Sequence, residues 1–468
     1  MIPTWTAADA EAATGGSATG NWVATGVSID SRTLEAGDLF VALRGPNHDG
    51  HDFVGAALDR GAAAAMMDRE VAGVAVTAPM LRVADTLAGL AALGATARRR
   101  SRARVVAVTG SVGKTGTKEA LRLALGSAGT VYASAGGLNN HWGAPLSLAR
   151  LPPRADYGVF ELGMNHAGEI ASLTRLMRPH IALITTVEPA HLGFFSSMDA
   201  IADAKAEIFL GLESCGTAIL NRDNPYYARL SELAARASAA TIISFGVHPD
   251  ADVRLVDCVL SSRDSAVEAA VFGKALKFHL PVVGRHWVMN SLAVLAVAAV
   301  VDIGVESAAE ALRQLEALPG RGRRYELAWR GGTLTLIDES YNASPASMRA
   351  TLCVLAATGP GPGGRRVAVL GDMLELGDAS ERFHRELLRS LESAKVDRVF
   401  LVGDAVAALH QALPERMRGG MWPSADGAIP ALRHFLEPGD VVTVKGSRAT
   451  RVSKIVEYLH SQSARPAN

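Results

Sequence analysis

Val105-Val-Ala-Val-Thr-Gly-Ser-Val-Gly-Lys-Thr115 passes from an apolar run into a glycine turn that ends in Lys-Thr, and a helical pattern opens near Lys114. That succession predicts a buried strand, a tight loop and a helix N-terminus. Glycine lets backbone N–H groups come close to phosphate oxygens, and the helix start adds a favourable dipole. Thr109, Gly110, Ser111, Val112, Gly113 and Gly116 are expected to line the loop. Lys114 is expected to meet the β- and γ-phosphates of ATP, and Thr115 to offer its hydroxyl to Mg²⁺. Val108 stands where the longer G-x-x-x-x-G-K-[ST] pattern has its first glycine. The competing reading is a tight strand-to-helix turn carrying a solvated lysine.

Outward from this loop, apolar runs at 157–162, 181–187, 217–220 and 242–245 read as strands covered on both faces, hence a largely parallel sheet. A more irregular stretch, 252–280, suggests an antiparallel edge, and a helix around 286–301 closes the block. Upstream, a strand is expected at 37–43 and helices at 53–61 and 86–100. Downstream, 319–324 (Pro-Gly-Arg-Gly-Arg-Arg) reads as a hinge. Four further strands are expected at 334–337, 367–370, 399–402 and 441–444, each followed at once by polar or glycine residues. Ligands bind beyond the carboxyl ends of strands in open α/β sheets, so this block is a second candidate ligand-binding unit. The expected fold is α/β in three domains. These are a small mixed α/β domain at 1–103, a central P-loop domain with a mostly parallel, helix-flanked sheet at 104–318, and a Rossmann-like domain at 319–468.

The 468 residues hold 47 Lys plus Arg against 47 Asp plus Glu. That balance disfavours a duplex nucleic-acid binder, which would carry a basic excess. The dense run of Arg98, Arg99, Arg100, Arg102 and Arg104 is expected to be a solvated linker before the loop strand. Cys215, Cys258 and Cys353 are scattered, which fits a reducing compartment. Residues 1–13 contain no Lys or Arg and are not expected to be a signal peptide, and the longest apolar run, 292–301, is too short for a membrane span. A cytoplasmic monomer without membrane insertion is expected.

Several further segments occur in order: Ser134-Ala-Gly-Gly-Leu-Asn-Asn140, Phe160-Glu-Leu-Gly-Met-Asn-His-Ala-Gly-Glu169, Ala190-His191, Asp203-Ala-Lys205 and Gly284-Arg-His-Trp-Val-Met-Asn290. With the shortened loop T-G-x-x-G-K-T they resemble the Mur ligases and the related folylpolyglutamate synthases. Asp338-Glu-Ser-Tyr-Asn-Ala-Ser-Pro345, Leu370-Gly-Asp-Met-Leu-Glu-Leu-Gly377 and Val444-Lys-Gly-Ser-Arg448 are similar to the branch that adds D-alanyl-D-alanine. Ser344 stands where Asn is usual, and His141-Trp142 follows the paired Asn as a second departure. The resemblance implies an ATP-dependent ligase that joins D-alanyl-D-alanine to the carboxyl end of UDP-N-acetylmuramoyl tripeptide through an acyl phosphate, with two Mg²⁺ ions. Other Mur-type ligases, folylpolyglutamate synthases and a P-loop ATPase switch are the alternatives.

By the same resemblance Glu161, His191 and Lys205 hold metal, with Lys205 carbamylated, and Lys114, Lys205 and His191 form the reacting centre. On the residues alone, Glu161 also reads as a strand-end surface carboxylate, and His191 as a capping or packing histidine. Lys205 also reads as a solvated helix lysine paired with a carboxylate. Only eight of the 47 basic residues are Lys, so the chain favours Arg where a plain surface cation suffices. Asn139, Asn140, His286, Asn290, Arg321 and Asp338 match nucleotide contacts, although Asn290 also reads as a hydrogen-bonded core residue. Ser31, Arg32, Asn47, His48 and Asp49 match the UDP-sugar surface, with ordinary turn chemistry as the other reading. Lys445, Ser447 and Arg448 match positions near the incoming dipeptide.

Overall fold

The computed structural model describes residues 4–463 except Ser238 and Ala240. Three large sheets follow one another along the chain. The first has five strands, in the order Ser17–Thr19, Met80–Arg82, Ala64–Met67, Asp38–Val41, Gly26–Ser28. The helix Thr86–Arg100 runs from it toward the second sheet, with Asp85 capping its start by accepting the Ala88 N–H at 2.6 Å.

The second sheet has nine strands. Its parallel part runs Val131–Ala133, Tyr157–Glu161, Arg104–Thr109, Ile181–Ile184, Thr217–Asn221, Thr241–Gly246. The loop strand explains why these runs are apolar throughout. Val106 and Val108 enter the core beneath Lys114–Gly126 and Arg285–Val300, while Val105 and Ala107 enter the core on the opposite face. Each such valine taken out of water contributes about 1.5–3 kcal/mol. The irregular stretch is an antiparallel meander, Val253–Leu260, Ser265–Val271 and Lys274–Leu280.

The third sheet has six strands, ordered Arg323–Trp329, Gly332–Glu339, Val441–Lys445, Arg366–Gly371, Arg398–Val402, Arg418–Trp422. Residues 319–324 run directly into its first strand, which pairs antiparallel with the second. Ala368 and Leu370 pack on one face and Val367 and Val369 on the other.

The arginine run is corrected. Arg98 to Arg100 form the last turn of the Thr86–Arg100 helix, where cations meet the free carbonyls. Arg98 is 6% exposed and donates 2.7 Å bonds to the Met177 and Arg178 carbonyls of the next block. Arg100 lies 4.1 Å over the Trp5 ring. Arg98 thus ties the helix to the second block, whereas Arg99, Arg102 and Arg104 are exposed as a solvated run would be.

Candidate active site

The loop strand lies between Tyr157–Glu161 on one side and Ile181–Ile184 on the other, so the loop after it opens where the chain departs in both directions. Gly110 and Gly113 have φ of 149° and 86°. A Cβ on Gly110 would stand 1.9 Å from the Thr185 hydroxyl oxygen, and one on Gly113 3.0 Å from Asn290 Oδ1. The loop is fastened from beside it. The Ser111 N–H donates to the Thr186 carbonyl at 2.9 Å, the Ser111 hydroxyl to that of Glu188 at 2.8 Å, and the Thr185 hydroxyl to that of Val112 at 2.6 Å. The helix Lys114–Gly126 starts without a side-chain cap, which leaves its first amides for an anion. Lys114 Nζ donates to the Gly110 carbonyl at 2.8 Å. Burial pushes its pKa below the ordinary lysine value; Glu161 opposes this and Arg321 adds to it.

Glu161, at 2% exposure, is no surface carboxylate. Its Oε2 accepts the Thr115 hydroxyl at 2.8 Å and its Oε1 the Asn139 amide at 2.8 Å. Asn140 Oδ1 accepts the Gly143 N–H at 2.9 Å, at the start of the Gly143–Ala149 helix. Lys118, which sequence reasoning did not single out, is 1% exposed and donates to the Ser134 carbonyl; the Ser134 hydroxyl in turn accepts the Glu161 N–H at 3.3 Å. A lysine four residues past Lys114 reads as solvent-facing until the helix packing is known.

Lys205, in the helix Met198–Ala206, is 2% exposed, and among the described residues it makes no ion pair or side-chain hydrogen bond. Burial first, and then the charge of Lys114, hold its pKa well below the ordinary lysine value. His191 lies beyond the strand Ile181–Ile184, its Nδ1 2.6 Å from Glu375 Oε2 of the third sheet's loops. Its pKa is lowered chiefly by burial, with Glu375 opposing and Lys114 and Lys205 reinforcing. Glu161, His191 and Lys205 therefore all lie within electrostatic reach of Lys114.

Asn290 lies against the Gly113 turn from the Arg285–Val300 helix. Burial lowers the pKa of His286, with Glu339 and Lys445 of the third sheet facing it. Arg321 stacks 3.9 Å over the Tyr341 ring, and Arg448 lies 6.0 Å from the same ring. Tyr341, also missed in the sequence, brings its hydroxyl to 2.9 Å from where a Gly137 Cβ would be. Asp338 is committed within its own block. Its oxygens accept the Gly320 N–H at 2.7 Å, and the Ser340 N–H and hydroxyl at 3.1 and 2.6 Å. Lys445, 3% exposed, donates to the Asn342 carbonyl at 3.0 Å and pairs with Glu339 at 3.3 Å. The Ser447 hydroxyl accepts the Leu374 N–H at 2.9 Å, and Arg448 is exposed.

In the first block, Arg32 forks onto Asp30 at 2.7 and 2.9 Å, and Arg60 holds the Ser31 and Arg32 carbonyls at 2.9 Å each. Asn47 and His48 are exposed at a turn, where Asp49 accepts the His51 ring at 2.6 Å and Arg69 at 2.8 Å. This turn meets the second block through Trp142, whose ring lies 3.0 Å from where a Gly45 Cβ would be.

No group of three or more His, Cys, Asp or Glu able to hold a metal is gathered among the described residues. The donors at hand are the Thr115 hydroxyl, the Glu161 carboxylate and the His191 imidazole. Hard oxygens few in number fit Mg²⁺, which keeps several waters and takes substrate phosphates as further ligands. No helix among the described residues is long and apolar enough to cross a membrane.

Family models match in three segments: the Mur ligase family catalytic domain at 23–99, the Mur ligase middle domain at 108–298 and the Mur ligase glutamate ligase domain at 323–448. The UDP-N-acetylmuramoyl-tripeptide–D-alanyl-D-alanine ligase of Escherichia coli is 36% identical over 92% of this chain and 93% of its own. That of Rickettsia prowazekii is 33% identical over 92% and 94%. Among solved structures, MurF from Acinetobacter baumannii superposes with a TM-score of 0.84 at 30% identity, covering 98% of this chain and 99% of its own. MurF from Thermotoga maritima, solved in complex with ADP, gives 0.77 at 27% identity over 93% and 97%. Matched along nearly its whole length and in all three blocks, the chain belongs to the Mur ligase family.

Proposed function

We propose that this chain uses ATP to join D-alanyl-D-alanine to the carboxyl end of UDP-N-acetylmuramoyl tripeptide, a step of peptidoglycan precursor synthesis in the cytoplasm. The observation that carries it is the bridge from Thr115 through Glu161 to Asn139 beside an uncapped loop helix, within reach of Lys114, His191 and Lys205. The chain divides at 103/104 and 318/319 into a UDP-sugar-recognising domain, an ATP-binding domain and a ligase domain, and acts as a monomer.

A carboxylate is a poor electrophile, so its oxygen first attacks the γ-phosphorus of ATP and ADP leaves. The dipeptide amine then attacks the acyl-phosphate carbonyl carbon, and the C–O bond to phosphate breaks. Negative charge crowds the site throughout, which calls for fixed donors and cations in place of a protein nucleophile. The amides of residues 110–116 and Lys114 grip the β- and γ-phosphates. Asn139, Asn140, His286, Asn290, Arg321 and Asp338 frame the nucleotide, with Asp338 acting through the backbone it pins at Gly320. Thr115, Glu161 and His191 are the residues that would hold Mg²⁺, which when bound would supply positive charge against the crowded phosphate oxygens. Lys205 would join these three residues once its amine adds CO₂ and gives up a proton to water, since a carbamate brings the negative charge that an ammonium lacks. Ser31, Arg32, Asn47, His48 and Asp49 meet the UDP-sugar, and Lys445, Ser447 and Arg448 the incoming dipeptide.

The test is ADP release by purified protein given UDP-muramoyl tripeptide, ATP and Mg²⁺, with and without D-alanyl-D-alanine. Turnover that requires both acceptor and donor is expected. ATP hydrolysis indifferent to the muramoyl peptide would sink the assignment.

A further inference from the structure

The loops after the strands Ile181–Ile184 and Arg366–Gly371 meet between the second and third sheets. There His191 Nδ1 lies 2.6 Å from Glu375 Oε2, and the Gly193 N–H donates to the Glu375 carbonyl at 2.9 Å. His191 and Glu375 both hold left-handed backbone, with φ of 60° and 64°. Few non-glycine residues keep that conformation unless their surroundings impose it. Behind the pair the chains come very close: a Cβ on Gly193 would stand 3.3 Å from the Gly377 nitrogen.

We propose that Glu375 is a positioning residue: from the third domain it fixes the tautomer and aim of His191 in the central domain, so that the cation site is complete only while these two loops touch. The inference rests on the functional reading above, in which His191 is a cation ligand. An imidazole whose Nδ1–H donates to a carboxylate keeps its Nε2 lone pair free and becomes a stronger donor. The backbone bond from Gly193 and the close approach of Gly377 place Glu375 without using its side chain, which leaves the carboxylate for His191. Folding stability does not account for the arrangement. The two side chains are 22% and 41% exposed, and a pair that open contributes little. The strain of two left-handed residues is therefore spent on orientation.

Wild type, Glu375→Ala and Glu375→Gln are compared for Mn²⁺ binding by electron paramagnetic resonance with ADP present, for kcat, and for melting temperature. Glu375→Ala is expected to lose about 10–100-fold in Mn²⁺ affinity and in kcat, with an unchanged melting temperature. The glutamine carbonyl accepts the same bond, so Glu375→Gln is expected to recover most of both. Wild-type Mn²⁺ affinity in Glu375→Ala overturns the proposal, and so does Glu375→Gln as weak as Glu375→Ala, provided wild-type protein is active. Wild type that binds no Mn²⁺ with ADP takes down the functional reading, and this inference with it.

Discussion

Lys114 curls 2.8 Å back onto the Gly110 carbonyl, and Lys205 sits buried with no counter-ion among the described residues. These two lysines carry different predictions. Lys114→Ala removes the charge proposed to meet the transferred phosphate, and should cut ADP release by about 10²–10³-fold while the fold survives. Near wild-type turnover in that variant would remove the phosphate-loop assignment. Lys205→Ala should be inactive yet regain part of its turnover with millimolar acetate or formate, since a small carboxylate can stand in for the carbamate. Full activity without any additive would end the carbamate idea. At this scale the sequence was readable for placement where local context decides it: Thr115 lies in the first turn of a helix after a glycine turn, and Glu161 ends the neighbouring strand. It was not readable where the partner is remote. Lys118 binds Ser134 across the fold, Tyr341 stacks under Arg321 near Gly137, and Trp142, visible only as a departure from the family pattern, packs on Gly45.

Elements divide along the same line. Parallel strands buried on both faces announce themselves as unbroken apolar runs, so five of the second sheet's parallel strands and four strands of the third sheet were legible. Arg323–Trp329 was not, because an antiparallel edge strand alternates; its Glu326 and Ala328 are exposed while Leu327 and Trp329 are buried. Arg418–Trp422 hides behind Gly419 and Gly420 and a register shift. Val131–Ala133 is three residues long, too short for any periodicity. The helix Thr86–Arg100 was legible in extent but not in purpose. Its buried Arg98 holds two carbonyls of the second block, so Arg98→Ala leaves those acceptors unpaired and should destabilise the protein by about 1–3 kcal/mol. A fall in melting temperature with the KM for ATP unchanged is the expected pattern; a shifted KM at constant melting temperature would assign the residue a different task.

The loops at the strand ends of the second and third sheets meet through polar contacts, and Leu192 and Val283 of the second block also pack against the third sheet's core. Arg349 reaches Glu188 at 3.4 Å, Arg324 reaches the Ser262 carbonyl at 2.8 Å, and His191 meets Glu375. Domains of one chain move relative to one another unless the interface between them is large and apolar. The hinge itself combines two glycines with positive φ, Gly320 and Gly322, and Asp338 grips only the first of them by its side chain. Catalysis needs water kept from the acyl phosphate, whereas substrate entry needs the cleft open, so a fixed spacing cannot serve both. Small-angle scattering should show the radius of gyration falling when a non-hydrolysable ATP analogue and UDP-muramoyl tripeptide are both present, with either ligand alone giving less. Identical curves with and without the pair would mean that the third domain does not move, and that the two halves of the site meet in one fixed arrangement.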